Sequence, residues 1–172
     1  MFRVDDGLGL TGIRSGMDAD KKISFAQAGS KVYYTMTGYN GVIDRGGQSN
    51  PWEVQDYVGP RTIRGYSSPP KGSLLEVFGS RMYIAEGRVL WYSEPNWYAG
   101  FDLSQNFIEH DSDITMLLRF ENGLVVGKEY KTYMYLGTGP EDFKQKVIDI
   151  VPPIEGSGVR RPLLIGDRWI RS

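Results

Sequence analysis

The sequence predicts an all-β protein built from antiparallel, propeller-like blades. The 172-residue chain contains 22 Gly, 11 Tyr and 4 Trp, a mixture of tight turns and aromatic segments that is typical of short strands. One short pattern also recurs along the chain, and a recurring supersecondary unit indicates a repeat architecture. Helical spacing of apolar residues is faint throughout, so strands are expected to form the core.

The repeated pattern is a turn of Gly with a small or polar residue, then a basic residue, then alternating aliphatic and aromatic residues. Its four copies span residues 29–34, 79–84, 122–126 and 166–170. The third copy lacks both the basic and the aromatic residue. The pattern predicts a β-hairpin turn at each copy, because Gly tolerates the backbone angles that two-residue turns require.

The two middle copies extend into longer units, with one predicted strand before the turn and another after it. These flanking strands span 74–78 and 88–93 in one unit, and 115–120 and 131–136 in the next. Residues 102–109 and 143–151 are candidates for a fourth strand in each unit. The interval between the equivalent residues Phe78 and Phe120 falls within the roughly 40–50 residues of a four-stranded blade.

The repeat count predicts a single β-repeat domain, residues 1–172, that forms part of a larger propeller. Three units plus part of a fourth fall short of the 4 to 8 blades that close a typical ring, so an incomplete propeller or open arc is expected. A Gly-, Pro- and Ser-rich stretch at about 38–73 predicts a loop-rich insertion. The alternatives are a piece of a longer protein, a truncated gene product, a protomer completed by another chain, or a small closed sandwich in which residues 2–13 pair with the last strands.

Composition and charge argue against two classes of partner. The formal net charge is -1, and no run of Lys or Arg could supply the several phosphate contacts on which nucleic-acid binding depends. No segment approaches the 18 apolar residues of a membrane-spanning helix, and Asp5 and Asp6 stand where a secretory signal would be apolar. We therefore expect a soluble protein with neither a nucleic-acid nor a membrane partner.

No catalytic apparatus is expected, and the chain is predicted not to be an enzyme. His110 is the single histidine, and its acidic neighbours predict a surface turn, since a Ser-His-Asp triad needs a scaffold that the sequence does not show. The carboxylates of Glu109, Asp111 and Asp113 lack the glycine-bearing loop of a calcium site, so capping of the turn is expected instead. The sequence thus predicts no cofactor and no metal.

The aromatic loop at 95–101 is the candidate contact surface. Trp97, Tyr98 and Phe101 offer the large, stiff side chains that concentrate at protein interfaces and on sugar-stacking surfaces. The alternative is that Trp97 or Phe101 folds back to fill the gap between two blades. Contact with another protein and contact with a carbohydrate both remain open on the first interpretation.

Residues 75–159 resemble a family of β-propeller-like structural proteins of tailed phages and prophages, including proteins of the tail tube or nozzle type. The resemblance lies in the order of short phrases at 78–84, 90–95, 106–108, 113–115, 123–127 and 152–158. It implies a non-enzymatic tail-associated protein, located in the virion or in the host cytoplasm before assembly. Its partners would be other phage structural proteins or further copies of itself. A carbohydrate-binding propeller module is the alternative, and a glycoside hydrolase with paired carboxylates is a more distant one.

Overall fold

The computed structural model describes residues 2–4, 10–12, 15–18, 20–54 and 65–149, and these contain β-strands and no α-helix. In chain order the strands are β1 Phe2–Val4, β2 Leu10–Gly12, β3 Ser24–Ala28, β4 Lys31–Met36, β5 Tyr39–Ile43, β6 Ser49–Asn50, β7 Leu74–Phe78, β8 Arg81–Glu86, β9 Val89–Tyr92, β10 Phe107–Glu109, β11 Ile114–Phe120, β12 Gly123–Lys128, β13 Thr132–Leu136 and β14 Lys144–Asp149. All pairings are antiparallel. The predicted all-β class is confirmed.

Twelve of these strands form three four-stranded sheets. The first sheet has the order β3-β4-β5-β6, the second β7-β8-β9-β10 and the third β11-β12-β13-β14. Each strand therefore pairs with its neighbour in the chain, which is the meander of a propeller blade. The fourth-strand candidates are confirmed, since β10 lies within 102–109 and β14 lies within 143–151.

The predicted hairpin turns have a clear backbone basis. Between β7 and β8, Gly79 and Ser80 both adopt positive φ angles, 54° and 61°. Two consecutive left-handed residues are the requirement of the two-residue turn that matches strand twist. Gly29 occupies the corresponding turn between β3 and β4 with a φ of 60°. Because glycine is favoured at these turn positions, the repeat can be recognised in the sequence.

The second sheet lies between the other two and is covered on both faces. Because strand side chains alternate, Met82 and Ile84 of β8 pack into a core shared with the first sheet, while Tyr83 and Ala85 pack into a core shared with the third. All four side chains are fully buried. The three sheets thus follow one another as consecutive blades do.

The first strands of the sheets lie next to one another, with β7 in contact with both β3 and β11. Side chains from one sheet satisfy backbone groups of the next. Ser24 Oγ accepts a hydrogen bond from the Leu75 amide at 2.9 Å, and Glu76 Oε2 accepts one from the Arg119 amide at 3.1 Å. The first strand of each sheet has no described strand paired to its free edge. These side-chain bonds therefore replace those that a further strand would make there.

Part of the stretch 38–73 differs from the predicted insertion. Its first residues form β5 and β6, which complete the first sheet and are joined by a turn at 44–48, and the described residues 51–54 and 65–73 are loop. The predicted part of a fourth unit, 166–170, lies outside the described residues. For the closed-sandwich alternative, β1 and β2 do not pair with β14, the last described strand. In the described part, β1 pairs with β2. No helix long and apolar enough to cross a membrane occurs there.

Candidate functional site

The aromatic loop after β9 fills the gap between the first and second sheets. Trp97 is 3% exposed and Phe101 is fully buried. The Phe101 ring centroid lies 6.3 Å from that of Trp52, and the Trp97 ring lies 4.7 Å from Tyr66. Tyr98 is half-buried. Trp97 and Phe101 therefore fold back to fill the gap between two sheets, as the alternative interpretation of the loop predicted. Neither offers a contact surface in the described structure.

Backbone hydrogen bonds fold the loop back on itself. The Glu94 amide donates to the Gly100 carbonyl at 2.9 Å, and the Gly100 amide donates to Trp97 at 3.1 Å. A side chain at Gly100 would overlap the Trp97 ring, so glycine is needed for this close approach. The Asn96 amide donates to the Ser80 carbonyl at 2.7 Å, which ties the loop to the hairpin turn of its own sheet.

The third sheet has an equivalent loop, between β13 and β14, that fills the gap next to the second sheet. Asp142 caps this loop by accepting hydrogen bonds from the Thr138 and Gly139 amides, both at 2.9 Å. The Gly139 and Thr138 bonds lower the pKa of Asp142. Phe143 then stacks on Phe78 with the ring centroids 6.2 Å apart. In both inter-sheet cores, a loop of the following sheet thus fills the gap between the two sheets.

Arg81 links the second sheet to the loop of the third. It is buried, donates to the Ser93 carbonyl at 2.8 Å, and forms an ion pair with Glu141. Its guanidinium lies 5.4 Å from the centroid of the Tyr92 ring. Burial raises the pKa of the neighbouring Tyr83, against the effect of the Arg81 charge. The basic residue of the repeated pattern therefore has a structural role at this position.

The prediction of a surface histidine at position 110 is wrong. His110 is only 7% exposed, its amide donates to the Arg88 carbonyl at 2.9 Å, and its ring lies edge-on to Tyr135 with a centroid distance of 5.9 Å. Nearby, the Lys128 side chain is also buried, and its Nζ lies 2.5 Å from Asp111 Oδ1. The acidic neighbours of His110 face solvent, whereas the ring turns into the junction of two sheets.

One face of the third sheet has no described sheet packed against it. Directly opposed residues share a face, and Leu118, Val125 and Met134 are opposed across β11, β12 and β13. The next set, which includes Leu124, packs into the core on the other side. We call this side the outward face, formed by Met116, Leu118, Phe120, Val125, Met134 and Leu136, of which Val125 on the second strand is itself buried.

The outward face is apolar and partly open. Phe120 is 49% exposed, and Met116, Leu118, Met134 and Leu136 are half-buried. On the outer strand β14, Lys144 and Lys146 are exposed and lie opposite Leu136 and Met134 on the same face. The outward face is thus an apolar surface with a basic margin.

The sequence contained a signal for this face. β11 and β13 carry apolar or aromatic residues at consecutive positions, as in Leu117-Leu118 and Tyr133-Met134-Tyr135. Strands of that kind are typical of sheets covered on both faces, since a sheet with one wet face alternates apolar and polar residues. The predicted contact surface at 95–101 lies in a loop, whereas this apolar face lies on strands.

Comparison with known proteins gives no family to which the chain could be assigned. No model of a protein family matches it, and no curated protein sequence matches it. In the described ranges, no group of three or more His, Asp or Glu side chains is arranged to hold a metal ion.

Proposed function

We propose that the chain is a non-enzymatic structural protein of the phage or prophage tail type that its sequence resembles, and that it functions by contact with another structural protein. The observation that carries this proposal is the outward face of the third sheet. Exposed apolar surface of this kind on a β-sheet marks an interaction site, because water covers it at a free-energy cost.

The chemistry of the partner follows from the packing within the chain. The first and second sheets pack face to face, and the second and third sheets do so again. The outward face is the next surface in this series, so its occupant is proposed to be a β-sheet of the partner, packed in the same way. Acidic residues on the margin of that sheet would complement Lys144 and Lys146.

The outer strand of the third sheet adds a second element of contact. Val147 and Ile148 of β14 are 48% and 44% exposed. No strand pairs with the free edge of β14 in the described structure. Lys144 and Lys146 oppose indiscriminate pairing along this edge, since charge on an edge strand is a common protection against aggregation. A partner with acidic residues would overcome that protection selectively.

Phe120→Asp is expected to abolish partner binding and leave the chain folded. Its side chain is half-exposed, so the substitution removes contact area from the outward face at little cost to the core. The products of neighbouring virion genes, each tagged, would be co-expressed with the chain and purified. Tyr130→Asp is the matched control, because Tyr130 is 65% exposed in the turn between β12 and β13.

The proposal is supported if one of these proteins co-purifies with the unmodified chain and with Tyr130→Asp but not with Phe120→Asp. Equal recovery with all three chains would refute the role of the outward face. Light scattering of the chain alone adds a separate outcome: a dimer that Phe120→Asp dissociates would assign the face to a second copy. Metabolic genes around the coding sequence would contradict the phage assignment.

The carbohydrate-binding alternative loses its main support. It depended on an exposed aromatic loop, and Trp97 and Phe101 are buried. Binding of the isolated chain on a glycan array would restore it.

A further inference from the structure

The connection between β10 and β11 joins the second sheet to the third, and it contains His110. Hydrogen bonds fix both of its ends to the second sheet. The His110 amide donates to Arg88, and the Ile114 amide donates to the Gly87 carbonyl, both at 2.9 Å. The His110 ring meanwhile contacts Tyr135 of the third sheet, with ring planes at 86°. His110 thus bridges the two sheets.

The surroundings of the imidazole are unsuited to a positive charge. Its Nδ1 lies 3.5 Å from the Tyr135 hydroxyl, and its Nε2 is buried with no hydrogen-bond partner among the described residues. In the neutral ring Nε2 is one unsatisfied polar atom, a donor or an acceptor according to the tautomer, whereas protonation makes it an unpaired donor of a buried cation. The second arrangement costs much more free energy.

A second cation is already present on the neighbouring strand. The Lys128 side chain is 5% exposed, and its Nζ lies 2.5 Å from Asp111 Oδ1 and 4.1 Å from the centroid of the Tyr133 ring. The Asp111 side chain is 73% exposed, so water weakens its field on the imidazole. The charge of Lys128 is therefore held by Asp111 and the Tyr133 ring. The His110 ring has no hydrogen bond to either of them in the described structure.

The other charged groups at this junction, Arg88, Glu109 and Lys131, are exposed. Arg88 and Glu109 form an ion pair of 2.8 Å in which both side chains are more than half exposed. The hydrogen bond from Lys128, and to a smaller extent the charge of Lys131, lower the pKa of the Asp111 carboxylate. None of these groups offers His110 a buried counter-charge.

We propose that His110 and Lys128 form an acid-sensitive latch that holds the second sheet to the third. Protonation of His110 places two cations at one buried junction, and the connection between β10 and β11 then leaves its site. The junction between the first and second sheets contains no histidine and stays packed. This inference is independent of the proposed function.

The direction of the pH dependence follows from the imidazole. Burial, and after it the Lys128 charge, lower the pKa of His110 to about 4, against the opposing effect of Asp111. In the unfolded chain the pKa is about 6.5. Between these values the open form binds a proton that the closed form does not, so closure weakens as the pH falls from about 6.5 toward about 4.

The test uses the single imidazole of the chain, which gives one set of NMR signals. We expect this ring to titrate well below 6.5. Amide hydrogen exchange in 107–136 should accelerate between pH 7 and pH 4.5, by more than tenfold after correction for intrinsic rates, and exchange in β4 and β8 should accelerate less. His110→Gln should remove most of this acceleration, because glutamine does not titrate.

A second variant keeps the test decisive if His110→Gln does not fold. Lys128→Met removes the neighbouring cation but retains the imidazole, so the pKa of His110 should rise toward 6.5 and the acceleration of exchange between pH 7 and pH 4.5 should become smaller. Titration of His110 near 6.5 in the unmodified chain would overturn the latch. So would exchange in 107–136 that is unchanged across this pH range.

Discussion

Phe101→Ala is expected to lower the free energy of unfolding by about 3 to 5 kcal/mol. The Phe101 side chain is fully buried in the core between the first and second sheets, against Trp52. Its backbone also pairs with Ser67 in an isolated bridge, so the cavity would be bounded by a fixed main chain and would collapse little. Urea denaturation followed by circular dichroism measures the change.

Phe107→Ala is the matched control for this prediction. Phe107 is 39% exposed on the outer strand β10, where it contacts Trp91 at a centroid distance of 5.5 Å. Its truncation should cost less than about 1 kcal/mol, because a partly exposed side chain on an outer strand leaves no enclosed cavity when it is removed. Similar losses for the two variants would place Phe101 outside the core and would restore the aromatic loop as a contact surface.

Leu124→Ala is expected to cost about 2 to 5 kcal/mol. Leu124 of β12 is fully buried between the second and third sheets, in the core that includes Leu90 and Tyr83. Loss of its side chain leaves a cavity at the centre of this junction. The free energy of unfolding, again from urea titration, is the quantity to compare.

Leu118→Ala tests the opposite face of the same sheet. Leu118 is half-buried on the outward face, where no described sheet covers it, so its truncation should cost less than about 1.5 kcal/mol in the isolated chain. In complex with a partner the cost should increase, since the side chain would then be buried. Equal costs for Leu118→Ala and Leu124→Ala in the isolated chain would contradict an open outward face.

Much of the fold could be predicted because local signals agree with it. The Gly-containing turns can be recognised in the sequence because they require left-handed backbone angles, and the aliphatic and aromatic runs between them predict strands. The fourth strands were also found, at 102–109 and 143–151. β6 was missed because it has two residues, Ser49–Asn50, within a Gly- and Pro-rich stretch.

The site was harder to predict, because alternation shows which residues share a face but not what covers that face. His110 stands among acidic residues and resembles a surface turn in sequence, yet its ring is held inward by Tyr135, which is 25 residues away in the chain. Lys128 is buried for a similar reason, since its ammonium group lies over the Tyr133 ring and pairs with Asp111, which is 17 residues away in the chain. Such long-range contacts leave no mark on local composition.

The three sheets follow one another with their first strands adjacent, and this arrangement underlies the whole account of the fold. Nuclear Overhauser effects measured on the isotope-labelled chain test it most directly. We expect cross-peaks from the Leu75 amide to the Ser24 β-protons and from the Arg119 amide to the Glu76 γ-protons, since these side chains accept hydrogen bonds from those amides. Absence of both cross-peaks, with the contacts within each sheet present, would contradict the arrangement.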